Sequence, residues 1–201
     1  ANNETGSLLP IAEIGRVLKE HPAAYHVDAV QAIGKLPIHP EELGIDFLSA
    51  SAHKFHGPKG VGFLYASSAD FDSYLHGGEQ EQKKRAGTEN LAAIVGMVAA
   101  LKEDLEQQAE HYQKLEGLKS AFLDEIADLE YYLNESQHQL PYVVNIGFPG
   151  QKNDLLLLRL DLEGISISTG SACTAGIVQT SHVLEAFYGS DSHRLTESVR
   201  I

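Results

Sequence analysis

The chain has 201 residues, 43% of them hydrophobic, enough apolar material for one large domain or two small ones with cores of their own. A formal charge of −13 and a pI near 5.1 argue against a nucleic-acid surface and against binding to anionic membranes, since both need clustered cations. The single cysteine, Cys173, excludes an intramolecular disulfide and a multi-cysteine zinc site, and no Asp, Glu or Cys stands close enough to His53 and His56 to complete a local metal set.

In chain order, "NNETGSLLP" leads into "IAEIGRVLKEH", whose apolar residues recur at helical spacing and stop before Pro22. "AAYHVDA" predicts a short buried strand that ends in polar residues. "GIDFLSASAH" predicts a second strand, and "GVGFLYA", shortly after "GPKG", a third. This alternation of strand, loop and helix implies an α/β domain with its chemistry at the strand ends. From Asn90 to about Leu129 the pattern is helical, with charged residues on a solvated face. Its opening run, "LAAIVGMVAAL", is shorter than the roughly 20 residues that span a bilayer and reads as a buried helix. Then follow a strand in "YVVNIGF", a helix in "NDLLLLRLDLEG", a strand in "ISIST" and a helix in "TSHVLEAFYG". The predicted organisation is a larger domain over 1–105 and a smaller α+β domain over 106–201. With no signal segment at the start, a soluble cytoplasmic protein is expected.

Two strand ends carry the chemistry. Asp28 follows an apolar strand, where a carboxylate is costly to bury unless it meets a cation or several donors. It can equally cap the following turn, which Asp does well. Shortly afterwards "SASAHK" places Ser51, His53 and Lys54 at what should be a neighbouring strand end. A strand-end Asp with a strand-end Lys is what a pyridoxal phosphate site requires: the amine forms a Schiff base, and the carboxylate keeps the pyridine nitrogen protonated. Ser51 and His53 then fit as donors to the cofactor phosphate. Cys173 is either a small packed hydrophobe or a reactive thiol. Its setting, "STGSACTAG", is rich in Gly, Ser, Thr and Ala, a composition of accessible loops rather than of cores.

Together "NNETG", "HVDAVQ", "SASAHKFHGPKG", "HGGEQEQKKRAGTEN" and "SISTGSACTAG" resemble the cysteine desulfurases, in order and in approximate spacing across the chain. The resemblance implies the fold of the pyridoxal phosphate-dependent transferases related to aspartate aminotransferase. On that reading 1–105 is the C-terminal part of the large domain, a three-layer α/β/α sheet, and 106–201 is the smaller α+β domain. It implies pyridoxal 5'-phosphate as cofactor, with Lys54 as the Schiff-base lysine, Asp28 facing the pyridine nitrogen, Gln31 bonding the phenolic oxygen, and Ser51 and His53 holding the phosphate. Thr88, in "RAGTEN", resembles a residue that reaches the phosphate of the other subunit of a homodimer; Arg85 beside it is either an active-site residue or one half of a structural ion pair. Asn3 and Arg200 resemble residues at the substrate carboxylate, and Cys173 the nucleophile that takes sulfur from L-cysteine and passes it to acceptor proteins, such as iron–sulfur scaffolds or thiolation enzymes.

The family's Gly/Thr phosphate loop and ring-stacking histidine are not found in this sequence, and the tail of the arginine motif ends one residue past Arg200. The chain therefore reads as a fragment truncated at both ends. Three alternatives stay open: a selenocysteine lyase or sulfinate desulfinase, another aminotransferase-fold enzyme, or a non-catalytic dimerising scaffold that binds sulfur-transfer partners.

Overall fold

A computed structural model of the protein describes residues 1–68, 70–170 and 180–201. They gather into two compact units, one of Pro10–His111 and one of Ala1–Leu9 with Tyr112–Ile201.

In the unit of residues 10–111, helix α1 (Ile11–Leu18) follows Pro10, and Ile11, Ile14 and Leu18 recur on its inner side. At Gly15 this helix comes so close to the turn before β2 that a Cβ would stand 2.1 Å from the Leu43 carbonyl oxygen. The sheet has the order β1-β2-β3. Strand β1 (His26–Asp28) is parallel to β2 (Phe47–Ser51), and β2 is antiparallel to β3 (Gly62–Ala66). All three predicted strands are present. Because side chains alternate along a strand, Val27, Leu48 and Ala50 share the buried face. One hydrophobic cluster packs Tyr25, Val27, Ala29, Ile45 and Leu48 beneath α1, and a second gathers Ala50, Ala52, Phe55 and Met97. The opposite face carries His26, Asp28, Ser49, Ser51 and a Leu64 that is 51% exposed.

Met97 comes from α2 (Leu91–Glu125), the long helix expected from the charge pattern. The reading of "LAAIVGMVAAL" as a buried helix needs correcting. Met97 is buried and Ala100 and Leu101 pack inward, but Leu91 and Val95 are 69% and 68% exposed. A helix laid on one layer buries a single stripe, so a run that is apolar all round leaves its other side uncovered.

In the second unit, β4 (Tyr132–Leu133), β5 (Asn145–Gly147) and β6 (Ser198–Arg200) form an antiparallel sheet in that order. Helices α3 (Asn153–Leu162), α4 (His182–Tyr188) and α5 (Arg194–Glu197) accompany it. The strand expected in "ISIST" is, within the described residues, a bridge between Ser168 and Arg200, bonded in both directions at 3.0 and 2.7 Å. The Ile165 amide is used to close the end of α3 on the Leu160 carbonyl and cannot join a ladder. Residues 1–9 join this unit through backbone bonds from Leu8 to His138 and from Leu140 to Gly6, both 2.9 Å. The core combines Val144, Ile146 and Val199 with buried polar side chains, among them Glu4, Asn134, Asn145, Ser181 and Ser198.

Candidate active site

Two parallel strands end at the same edge of their sheet, which is where open α/β sheets bind ligands. Asp28 closes β1 there, and its Oδ1 accepts the Val30 amide at 2.9 Å, so the turn-capping role is realised. Asp28 is also exposed and in register with Ser49. His26 Nε2 lies 3.2 Å from Ser49 Oγ on the same face. Neither His26 nor Ser49 was singled out from sequence; the period of two in "YHVD" and "FLSAS" is the signal that groups them with Asp28 and Ser51.

Strand β2 runs out at Ser51 into a 3-10 turn, Ala52–Lys54. The Ser51 hydroxyl and His53 Nδ1 are 2.8 Å apart. The turn is anchored by fully buried Ala52 and Phe55, and by bonds from the Ala52 amide to Val61 O and from the Gly57 amide to Ala52 O. Lys54 is half-buried, and its carbonyl accepts a bond from Lys35 Nζ at 2.6 Å. Burial holds the Lys35 ammonium below the usual lysine range; Asp104 works against that shift and the neighbouring charge of Lys54 adds to it. Gln31 lies half-buried in the turn after β1. Thr88 and Arg85 are exposed in the segment before α2. Arg85 donates to the Ala86 carbonyl at 3.0 Å and, among the described residues, makes no ion pair.

The second unit brings Asn3 and Arg200 together: the guanidinium donates from Nη1 to the Asn3 carbonyl at 3.0 Å. Beside them Glu4, which sequence reasoning passed over, is fully buried. Its Oε2 accepts the Ser181 hydroxyl, while Oε1 has no hydrogen-bond partner among the described residues. The only sequence signal for Glu4 is an acid inside an otherwise neutral motif. Cys173 lies in 171–179, outside the described residues.

A shallow cleft of about 660 Å³ is lined by Tyr132, Tyr188, Arg194 and Glu197, and holds none of the predicted site residues. The Arg194 cation is stacked against Tyr132 at 4.1 Å and Tyr188 at 4.4 Å, and bonds Asn134 Oδ1 at 2.8 Å, which is a structural use of the charge. Among the described residues, no group of three or more His, Cys, Asp or Glu side chains is placed to hold a metal ion, and no helix is long and apolar enough to cross a membrane.

The chain belongs to the aminotransferase class-V family, whose match covers residues 1–191. Its fold is similar to that of a solved NifS-like protein, with TM-score 0.88 and 34% identity over 100% of this chain and 53% of that one. A NifS-like protein from Rickettsia africae ESF-5 gives 0.86 and 32%, over 100% and 54%. In sequence the chain is 50% identical over 204 residues to the IscS 1 protein of Bacillus subtilis (strain 168), covering 100% of this chain and 54% of that protein. It is 43% identical over 190 residues to the cysteine desulfurase IscS of Dictyoglomus turgidum, covering 92% and 48%. The chain thus spans about half the length of the curated relatives it matches.

Proposed function

We propose that this chain is part of a pyridoxal phosphate-dependent cysteine desulfurase, which converts L-cysteine to L-alanine and leaves the sulfur as a persulfide on Cys173. The observation that carries the reading is half-buried Lys54 on a turn that also pairs Ser51 with His53, at the sheet edge where β1 ends in Asp28. The donor set fits the cofactor: a hydroxyl and an imidazole suit a phosphate, a carboxylate suits a protonated ring nitrogen, and an amine suits an aldehyde. When bound, the cofactor supplies an electron sink that acidifies the substrate α-carbon.

In this reading Ser51 and His53 bind the phosphate, with Thr88 contributing from the other subunit of a homodimer. Asp28 holds the proton on the ring nitrogen, Gln31 bonds the phenolic oxygen, and Lys54 anchors the cofactor and moves the α-proton. Arg200 and Asn3 orient the substrate carboxylate, for which a guanidinium offers bidentate bonding. The Cys173 thiolate attacks the substrate sulfur. An S–S bond forms, the substrate C–S bond breaks, and its electron pair stays with the carbon skeleton, which takes up a proton to become alanine. Cysteine plus Cys173–SH gives alanine plus Cys173–SSH, with no external oxidant or reductant. The persulfide is a reversible cap that can pass to acceptor proteins such as iron–sulfur scaffolds or thiolation enzymes. The compartment assigned by this reading is the cytoplasm.

The test uses the complete protein with pyridoxal phosphate. Borohydride should place a cofactor-derived mass on the peptide carrying Lys54. Cys173→Ser should keep that label yet lose alanine release by roughly 10²-fold or more, the scale expected when a positioned catalytic group is removed. No label on Lys54 overturns the cofactor assignment. Normal turnover by Cys173→Ser favours a lyase that needs no protein persulfide.

A further inference from the structure

Next to the turn that carries Lys54 lies a charged cluster to which neither the mechanism nor the sequence motifs give a part. Lys35 Nζ donates to the Lys54 carbonyl at 2.6 Å, a short, charge-assisted bond. Gly34 brings Lys35 there. It has φ +78°, and a Cβ on it would stand 2.9 Å from Asp104 Oδ2 and 3.2 Å from Phe55 Cβ, so only glycine fits between them. Asp104 is a buried acid on α2 and accepts from His56 Nδ1 at 3.0 Å. His56 itself has φ +63°, a left-handed conformation that residues with a Cβ seldom adopt. The segment from Lys54 to His56 is thus gripped three ways: its first carbonyl by Lys35, Phe55 in the core, and His56 by Asp104.

We propose that Lys35 is a positioning residue for Lys54, holding the backbone of the 3-10 turn so that the Lys54 amine is presented in one fixed orientation, with Asp104 and His56 securing the far side of the same turn. A pinned carbonyl fixes the Lys54–Phe55 peptide plane, and rotation about the Lys54 side chain is then the freedom that remains. Preorganisation of this kind matters because small misplacements of a reacting group are costly in rate. The consequence for turnover rests on the desulfurase reading; the effect on the Lys54 amine does not.

The experiment compares the complete protein with Lys35→Met, which keeps the length of the side chain but removes donor and charge, and with Lys35→Arg, which restores both. In cofactor-free protein, acetylation of Lys54 by N-hydroxysuccinimidyl acetate is followed by peptide mass spectrometry, with exposed Lys59 as the internal reference. The Lys54 rate relative to Lys59 should change severalfold in Lys35→Met and return towards the original value in Lys35→Arg. With cofactor and cysteine, kcat should fall roughly 10- to 100-fold, the scale of a small misplacement, with KM little changed. If Lys35→Met does not fold, Lys35→Gln, which keeps a shorter uncharged donor, is read out in the same way. Unchanged Lys54 acetylation in a folded variant overturns the inference, and so does a change that Lys35→Arg fails to restore. An intact acetylation effect in a protein that never turns over cysteine overturns the proposed function alone.

Discussion

The two units dispose of their polar side chains in opposite ways. Around β1-β2-β3 Asp104 is, among the described residues, the one polar residue that is buried, and the polar residues of the strands, His26, Asp28, Ser49 and Ser51, stand on the opposite face from Val27, Leu48 and Ala50. Around β4-β5-β6 the polar groups are inside. Asn134, just past β4, donates to Asn145 Oδ1 on β5 and to Ser198 Oγ on β6, both at 2.8 Å, so side chains as well as backbone tie the sheet together. Asn145 also reaches the Glu4 carbonyl at 3.0 Å, which fixes the first residues of the chain to this sheet. A polar group left at a strand end is available to a ligand. One satisfied inside a core specifies register and location instead, because leaving it unpaired there is expensive.

Three measurements sharpen this contrast. The largest effect is expected for Phe55→Ala in the apolar core: the ring is fully buried among Ala50, Ala52 and Met97, and its removal should cost about 3–5 kcal/mol. Urea unfolding followed by circular dichroism measures it, and a loss below about 1 kcal/mol would mean that this core collapses around the void. Asn134→Ala should cost about 2–3 kcal/mol, though it deletes far less volume, because it strips partners from buried Asn145 and Ser198 and from Arg194. If that loss matched an ordinary surface substitution, the polar core of the second unit would be decorative rather than structural. The smallest effect concerns alkali. Burial raises Tyr142 well above its ordinary value of 10.0, so the unfolded chain releases this proton first. The sign follows: stability is complete below pH 10 and falls as the pH rises beyond it. Tyr142→Phe should flatten the alkaline limb of a plot of melting temperature against pH, and an unchanged limb would assign it to Tyr25 or Tyr132, which burial also raises.

Much of the candidate site was legible because it depends on local pattern. The period of two in β1 and β2, broken by polar residues and then by a turn, marks Asp28, Ser51, His53 and Lys54 as a strand-end group, and the structure puts them at neighbouring ends of parallel strands. Less legible was anything set by partners distant in sequence. Strand β6, Ser198–Arg200, was not among the strands expected from sequence, and exists because β5 and Ser168 pair with it. The assignment of residues 1–9 to the C-terminal unit depends on His138, Gln139 and Asn145, more than a hundred positions away. Lys35 was passed over because a lysine after "AIG" looks like any solvated lysine until Gly34, Asp104 and the Lys54 carbonyl surround it.

The sequence by itself determined the alternation of strands and helices, the candidate chemistry of Asp28, Lys54 and Cys173, and the family, since periodicity and motif spacing are properties of neighbouring residues. Only the tertiary structure decided which side of α2 is buried, which polar groups are spent inside a core, and which cation grips the turn behind Lys54. Those outcomes depend on which surfaces meet, and a contact between residues 35 and 54 or 4 and 145 leaves no trace in the local pattern of either.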